Sequence, residues 1–289
     1  MINLTDYNEI RALLTRHGFR FSKSLGQNFL TAAWVPERIA EEAGLDEQTG
    51  VVEVGPGIGC LTAELAKRAG RVASIELDKA LLPVLKETLR EYDNVTVIPG
   101  DATKLDLRAL AEEKLPGLRP VVCANLPYNV TTPLLTALIE AGCFETITVM
   151  IQREVARRIC AGPGSADYGA FGLFVQWHCE TELLFDVPPS CFVPQPKVTS
   201  SVIRLTRRPA PPLPVRDEKL LFRIIRAAFN QRRKTLVNAL SSGLGLGKVE
   251  LETVLGEVGL DVRVRGEALD IAAFAALCDK VNCLTGADL

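Results

Sequence analysis

The sequence predicts an α/β fold, a mostly parallel sheet with helices on both faces, followed by a small all-helical domain. Three observations carry this. From residue 51 onward, short apolar runs alternate with helical patterns, which is the signature of βαβ units. The first of these runs, Val51–Val54, leads into the glycine turn Gly55-Pro56-Gly57-Ile58-Gly59 and then a helix. A proline-rich segment, Arg207–Pro214, then separates this pattern from residues 217–283, whose periodicity is helical.

Taken in order, residues 5–16 predict a short helix with Ile10, Leu13 and Leu14 on one face. Residues 18–30 have no clear period and read as a loop. Val51–Val54, Val72–Ile75, Val95–Ile98, Pro120–Ala124 and Thr146–Ile151 are the expected strands. Leu61–Ala69, Leu81–Leu89 and Pro133–Ala141 are the expected helices between them. Leu183–Val187 and Ser201–Leu205 read as further strands, antiparallel at an edge. The expected organisation is an N-terminal closing segment (1–30), a ligand-binding α/β domain (31–206) and a helical domain (207–289).

Composition excludes several classes. The 289 residues are 47% hydrophobic and 24% charged, ordinary values for a soluble globular protein. No apolar run approaches the ~20 residues a membrane-spanning helix needs. Met1–Asp6 lacks a basic region followed by an apolar one, so a cytoplasmic location is expected. The eight cysteines form no C-x-x-C pair and most sit in apolar stretches, which predicts free thiols. With only two histidines, no metal site is expected. Net charge is −2, yet residues 151–240 hold fourteen Lys and Arg against seven Asp and Glu. A polyanion can bind such a stretch without the whole protein being basic.

The glycine turn lets backbone approach a ligand, and the helix N-terminus after it favours an anionic group. About twenty residues on, Glu76 closes the second strand, where a carboxylate can accept hydrogen bonds from both ribose hydroxyls. The third strand ends at Asp101, suited to an adenine amino group, and the fourth at Asn125. Four successive strands thus deliver polar residues to one rim. A dinucleotide oxidoreductase and a methyltransferase compete for this pattern. Pro56, Glu53 and the absence of a third glycine at Cys60 fit the dinucleotide reading less well.

Asn125-Leu126-Pro127-Tyr128 is the most informative tetrapeptide. The N6 of adenine is a poor nucleophile because its lone pair is delocalised into the ring. Two acceptors gripping its N–H bonds favour the pyramidal form, and the Asn125 side-chain oxygen and the Pro127 carbonyl are the expected pair. Tyr128 offers a face to a base turned out of its stack. No general base is needed, and alignment of amine, methyl and sulfur is the main task.

Five stretches, Lys23–Leu30, Glu53–Gly59 with Leu61 and Thr62, Asn125–Asn129, Phe192–Ser200 and Phe229–Leu236, resemble in order the small-subunit ribosomal RNA adenine dimethyltransferase family. The resemblance implies a Rossmann-like class I methyltransferase sheet and S-adenosyl-L-methionine as cofactor, with S-adenosylhomocysteine as product. It implies dimethylation of N6 on two adjacent adenosines in the 3′-terminal hairpin of 16S rRNA, within the immature small ribosomal subunit. It further implies that Asn28 and Leu30 close on the cofactor and that Gly55 meets its amino-acid end. Glu76 would take the ribose, Asp101 the adenine and Asn125 the methyl region. Asn125, Pro127 and Tyr128 would hold the target base, with Phe192 as a second stacking face. The sequence departs from the family pattern at Ala170-Phe171-Gly172, which leaves the packing of that helix open.

Lys23, Arg207, Arg208, Arg223, Arg226, Arg232, Arg233 and Lys234 are the expected RNA contacts, in a cleft beside the catalytic domain. Arg226 and Arg233 share a face if their helix is continuous. Binding should follow RNA shape more than sequence, and a monomer is expected. Two alternatives stand: a large-subunit rRNA adenine methyltransferase of the antibiotic-resistance type, and an RNA-binding assembly factor whose catalysis is incidental.

Overall fold

The structure, a computed structural model, describes residues 2–21 and 26–285. Lys23 therefore lies outside the described residues. The chain runs α1 (Tyr7–Arg16), β1 (Phe29–Leu30), α2 (Trp34–Glu42), β2 (Thr49–Val54), α3 (Cys60–Ala66), β3 (Arg71–Glu76), α4 (Leu82–Thr88), β4 (Val95–Pro99), α5 (Leu107–Lys114) and β5 (Arg119–Asn125). It continues through α6 (Thr131–Ala141), β6 (Thr146–Gln152), α7 (Arg153–Cys160), α8 (Ala170–His178), β7 (Cys179–Val187), β8 (Phe192–Val193) and β9 (Ser200–Arg207). The last elements are α9 (Glu218–Asn230), α10 (Leu236–Leu244), α11 (Lys248–Glu257) and α12 (Ile271–Thr285).

Two compact units emerge, Met1–Ala156 with Glu182–Arg207, and Arg157–Thr181 with Arg208–Leu289. One change of unit falls at residue 207, where the proline-rich segment begins. Residues 157–181 group with the helical unit, although the sequence reading kept them in 31–206.

In the first unit the strand order is β4-β3-β2-β5-β6-β9-β7. Strands β4, β3, β2, β5 and β6 are mutually parallel, and β9 runs antiparallel to β6. Every residue of β2 is buried, as expected for a central strand covered on both sides. The antiparallel pair is not simply appended: β9 inserts between β6 and β7, and β7 takes the edge. The order reverses at β2, which lies between β3 and β5, so a crevice opens at the carboxyl ends of β2 and β5. Helix α1 begins at Asp6, whose carboxylate accepts from the N–H groups of Asn8 and Glu9, and it buries Ile10, Leu13 and Leu14 as predicted. The supposed loop 18–30 instead ends in a strand, since Phe29 and Leu30 pair with Val193 and Phe192.

The second unit packs around Trp177, Leu221, Ile224, Leu240 and Phe274, all essentially inaccessible to water. The departure at Ala170–Gly172 has a packing reason. A Cβ on Gly172 would lie 2.4 Å from the Arg158 carbonyl oxygen, so only glycine lets these two backbones approach. No helix among the described residues is long and apolar enough to cross a membrane.

Candidate active site

The loops after β2, β3, β4 and β5 line one cleft in the first unit, closed on one side by residues 26–30. Asn28, Leu30, Gly55, Glu76, Asp101, Asn125, Pro127 and Tyr128, eight of the residues expected from sequence, all border it.

The turn after β2 requires its glycines. Gly55, Gly57 and Gly59 have φ of 72°, 61° and 93°, the left-handed region that side chains disfavour. A Cβ on Gly57 would also stand 3.2 Å from the Phe29 ring, and one on Gly55 would reach Pro127 at 3.9 Å. The glycine turn therefore sits directly against the Asn125–Tyr128 turn, and β1 folds down onto it.

Three carboxylates surround this turn. Glu53 is 1% exposed, and its Oε2 accepts from the Thr62 and Ser74 hydroxyls, each at 2.7 Å. Burial pushes its carboxyl up to about 7 against the pull of those two hydrogen bonds. Glu76 is likewise pushed up to about 7 by burial, although the Asp78 N–H donates to its Oε1 at 2.7 Å. Asp101 is held below the usual carboxylate value, first by the Thr103 hydroxyl at 2.7 Å and then by Lys104 at 3.1 Å. Among the described residues that line the cleft there is no Lys, Arg or His. Such a site fits a ligand that offers hydroxyls and positive charge, and it rejects a polyphosphate.

Asn125 ends β5, and its side chain meets no hydrogen-bond partner among the described residues. The next backbone acceptor corrects the sequence reading. The Pro127 carbonyl already takes the Val130 N–H at 3.3 Å and the Thr131 hydroxyl at 3.1 Å, so it points back into the turn. The Leu126 carbonyl receives no donor among the described residues. Tyr128 is anchored from two strands along the sheet: its hydroxyl lies 2.5 Å from Ser200 Oγ at the start of β9. Burial raises the phenol above its ordinary value, so it stays neutral.

Phe192 differs from expectation. It is 2% exposed, faces Leu30 in the β1–β8 pair and does not border the cleft. Its ring has no open face for a base while that pair is closed. From sequence, Glu53 serves only as an argument against dinucleotide binding, and neither Leu126 nor Ser200 is given a role. A lone acid within the apolar run Val51–Val54 was a usable signal for Glu53; nothing local marked the other two.

The basic residues sort by how they are engaged. Arg207, in the first unit, reaches the Ile139 carbonyl at 3.5 Å. In the second unit, Arg208 donates to the Gln176 carbonyl and pairs with Glu180 at 3.1 Å. Arg232 donates to the carbonyls of Ala166 and Tyr168 at 3.0 and 2.6 Å. Arg223 and Arg226 lie on the outer face of α9 with Lys219, while Arg233 and Lys234 are exposed just beyond it. Arg226 and Arg233 do not share a helix face. Helix α9 stops at Asn230, and Gln231 adopts φ −126°, ψ 55°. None of the eight cysteines is in a disulfide; five are buried, Cys143 and Cys160 are half-buried, and Cys283 is exposed. No group of three or more His, Cys, Asp or Glu converges as metal ligands would among the described residues.

A doubly wound sheet of this order, with a glycine turn at its switch point and a polar tip on β5, defines a Rossmann-like class I methyltransferase fold. Solved structures agree. A dimethyladenosine transferase from Plasmodium falciparum superposes with a TM-score of 0.72 at 25% identity, covering 86% of this chain and 95% of that one. The 23S rRNA methyltransferase ErmE gives 0.67 at 27% identity, covering 88% and 99%. A ribosomal RNA small subunit methyltransferase A from Streptococcus gordonii is 46% identical over 286 residues, 97% of this chain and 99% of that protein. Its counterpart from Geobacillus thermodenitrificans is 48% identical over 276 residues, 94% of each. The family profile for ribosomal RNA adenine dimethylase matches residues 18–277. The chain belongs to the ribosomal RNA adenine dimethylase family.

Proposed function

We propose that this chain transfers methyl groups from S-adenosylmethionine to the N6 amines of two adjacent adenosines near the 3′ end of 16S rRNA. It acts on the immature small ribosomal subunit, as a cytoplasmic monomer. The carrying observation is the junction of two turns: Asn125–Tyr128, with its unpartnered acceptors, lies against Gly55–Gly59 in a cleft rimmed by carboxylates. The names of the relatives above support the small subunit as substrate.

When bound, S-adenosylmethionine supplies an electrophilic methyl group on a sulfonium. Glu76 holds the ribose hydroxyls, Asp101 accepts from the adenine amine of the cofactor, and the Gly55 backbone meets its amino-acid end. Asn28 and Leu30 cover it. On the substrate side, Asn125 Oδ1 and the Leu126 carbonyl accept from the two N–H bonds of the target amine. That grip localises the nitrogen lone pair and aims it. Pro127 stiffens the turn rather than accepting from the base. Tyr128, fixed by Ser200, stacks on the extruded purine. Phe192 supplies a second face only when the β1–β8 pair opens. The nitrogen sheds its proton to solvent after each transfer, so placement and desolvation do the catalytic work. The half-buried Arg223 and the exposed Arg226, Arg233 and Lys234 neutralise phosphates, while Arg208 and Arg232 chiefly hold their own unit together.

The test is nucleoside mass spectrometry after incubating immature small subunits and, separately, large subunits with labelled cofactor. Dimethyladenosine in the small subunit is expected, and Asn125→Ala should abolish it while cofactor binding persists. Label confined to the large subunit, which the likeness to ErmE makes the second reading, would overturn the assignment.

A further inference from the structure

Glu53 performs a task that no step above uses. Its carboxylate is 1% exposed yet belongs to the lining of the cleft. Two hydroxyls from two elements, Thr62 on α3 and Ser74 on β3, converge on one oxygen. No cation offsets it. The ionisable groups facing it are Glu76 from β3, Cys60 from α3 and Cys123 from β5, and none of these carries positive charge. An ion kept this deep without a counterion costs several kcal/mol, so an apolar or neutral residue would stabilise the empty protein better. The arrangement makes sense if the counterion arrives with the ligand.

Methyl transfer changes the ligand's charge. The donor carries a sulfonium, an ammonium and a carboxylate, one net positive charge. After the S–CH3 bond breaks and the N6–CH3 bond forms, the sulfur is a neutral thioether. The nitrogen's displaced proton goes to solvent. The ammonium and carboxylate are common to donor and product, so only the sulfonium distinguishes them electrostatically.

We propose that Glu53 is the charge-selecting residue of this site, its buried carboxylate favouring the cationic donor over the neutral product. This rests on S-adenosylmethionine being the donor. In the free protein Glu53 is partly protonated near neutral pH, because burial raises it to about 7. Donor binding favours the carboxylate and releases a proton; loss of the sulfonium charge lets the carboxylate take one back from solvent. Spent cofactor is thereby expelled, which suits an enzyme that must exchange cofactor between successive transfers on one substrate.

The experiment is calorimetric titration of the wild-type chain and Glu53→Gln with three ligands. These are S-adenosylmethionine, S-adenosylhomocysteine, and an analogue bearing a protonated amine in place of the sulfonium. Glutamine keeps an oxygen for Thr62 and Ser74 but no charge. The variant should bind both cationic ligands at least about tenfold more weakly, about 1.4 kcal/mol, and the neutral thioether within about twofold. In two buffers of different ionisation enthalpy near pH 6.5, the wild-type chain should release more protons on binding the donor than on binding the product, because Glu76, also raised to about 7, meets the same ribose in both. This readout needs no variant. Equal weakening of all three ligands would place Glu53 at the shared ammonium and overturn the proposal, as would equal proton release. A wild-type chain that binds neither donor nor product would overturn the cofactor reading, and the inference with it.

Discussion

The charge buried at Glu53 has a measurable cost in the free protein. Its carboxyl titrates near 7 in the fold and near 4.5 when unfolded. Between those values the native state binds more protons than the unfolded chain, so stability falls as pH rises. The contribution is fully present below about pH 4.5 and lost as pH passes about 7. At about 1.4 kcal/mol per tenfold change in proton affinity, the full cost at pH 8 is about 3 kcal/mol. Reorganisation and coupling to Glu76, which burial raises similarly, reduce what one substitution recovers. Glu53→Gln is therefore expected to stabilise the cofactor-free protein by at least about 1 kcal/mol at pH 8. At pH 5, where wild-type Glu53 is mostly protonated in the fold, the gain should fall to about a quarter of that. Differential scanning calorimetry of both proteins across this range gives the difference directly. A variant less stable than wild type at pH 8, or a gain independent of pH, would refute the electrostatic account. A stability gain joined to poorer donor binding is the trade expected where function needs a strained site.

Two further outcomes test the geometry. Gly57→Ala should cost about 1–2 kcal/mol, because alanine resists a φ of 61° and its Cβ would press the Phe29 ring; cofactor affinity should fall with it, and unchanged affinity by calorimetry would remove this turn from the site. Charge reversal at Arg226 should lower the salt slope of RNA binding by about one with little change in melting temperature, whereas Arg232→Ala should chiefly lower the melting temperature, since its guanidinium is spent on the Ala166 and Tyr168 carbonyls; equal salt slopes for the two variants would show that hydrogen bonding to backbone does not sort these arginines.

The parallel core was legible because its determinants are local. Val121–Ala124 is apolar throughout and Val51–Val54 is apolar except for Glu53, as expected of strands covered on both faces. The glycines of the turn announce positive φ, and Asn125–Tyr128 is specific as a string. What escaped depends on distant pairings. Phe29 and Leu30 become a strand only because Phe192 and Val193 arrive more than 160 residues later. The insertion of β9 between β6 and β7 leaves no mark in either strand's composition. The choice between the Leu126 and Pro127 carbonyls turns on Thr131, the first residue of the following helix. The basic segment showed where the cations are, but not that Arg208 and Arg232 already have partners.

The Tyr128–Ser200 contact joins atoms 72 residues apart in the chain. During translation, β2 through β6, the glycine turn and the three carboxylates all emerge before Ser200 is added. The nascent polypeptide can thus assemble a place for the methyl donor well before it owns a fixed aromatic shelf for the acceptor. The aromatic shelf is fixed only when the last strand of the sheet is in place.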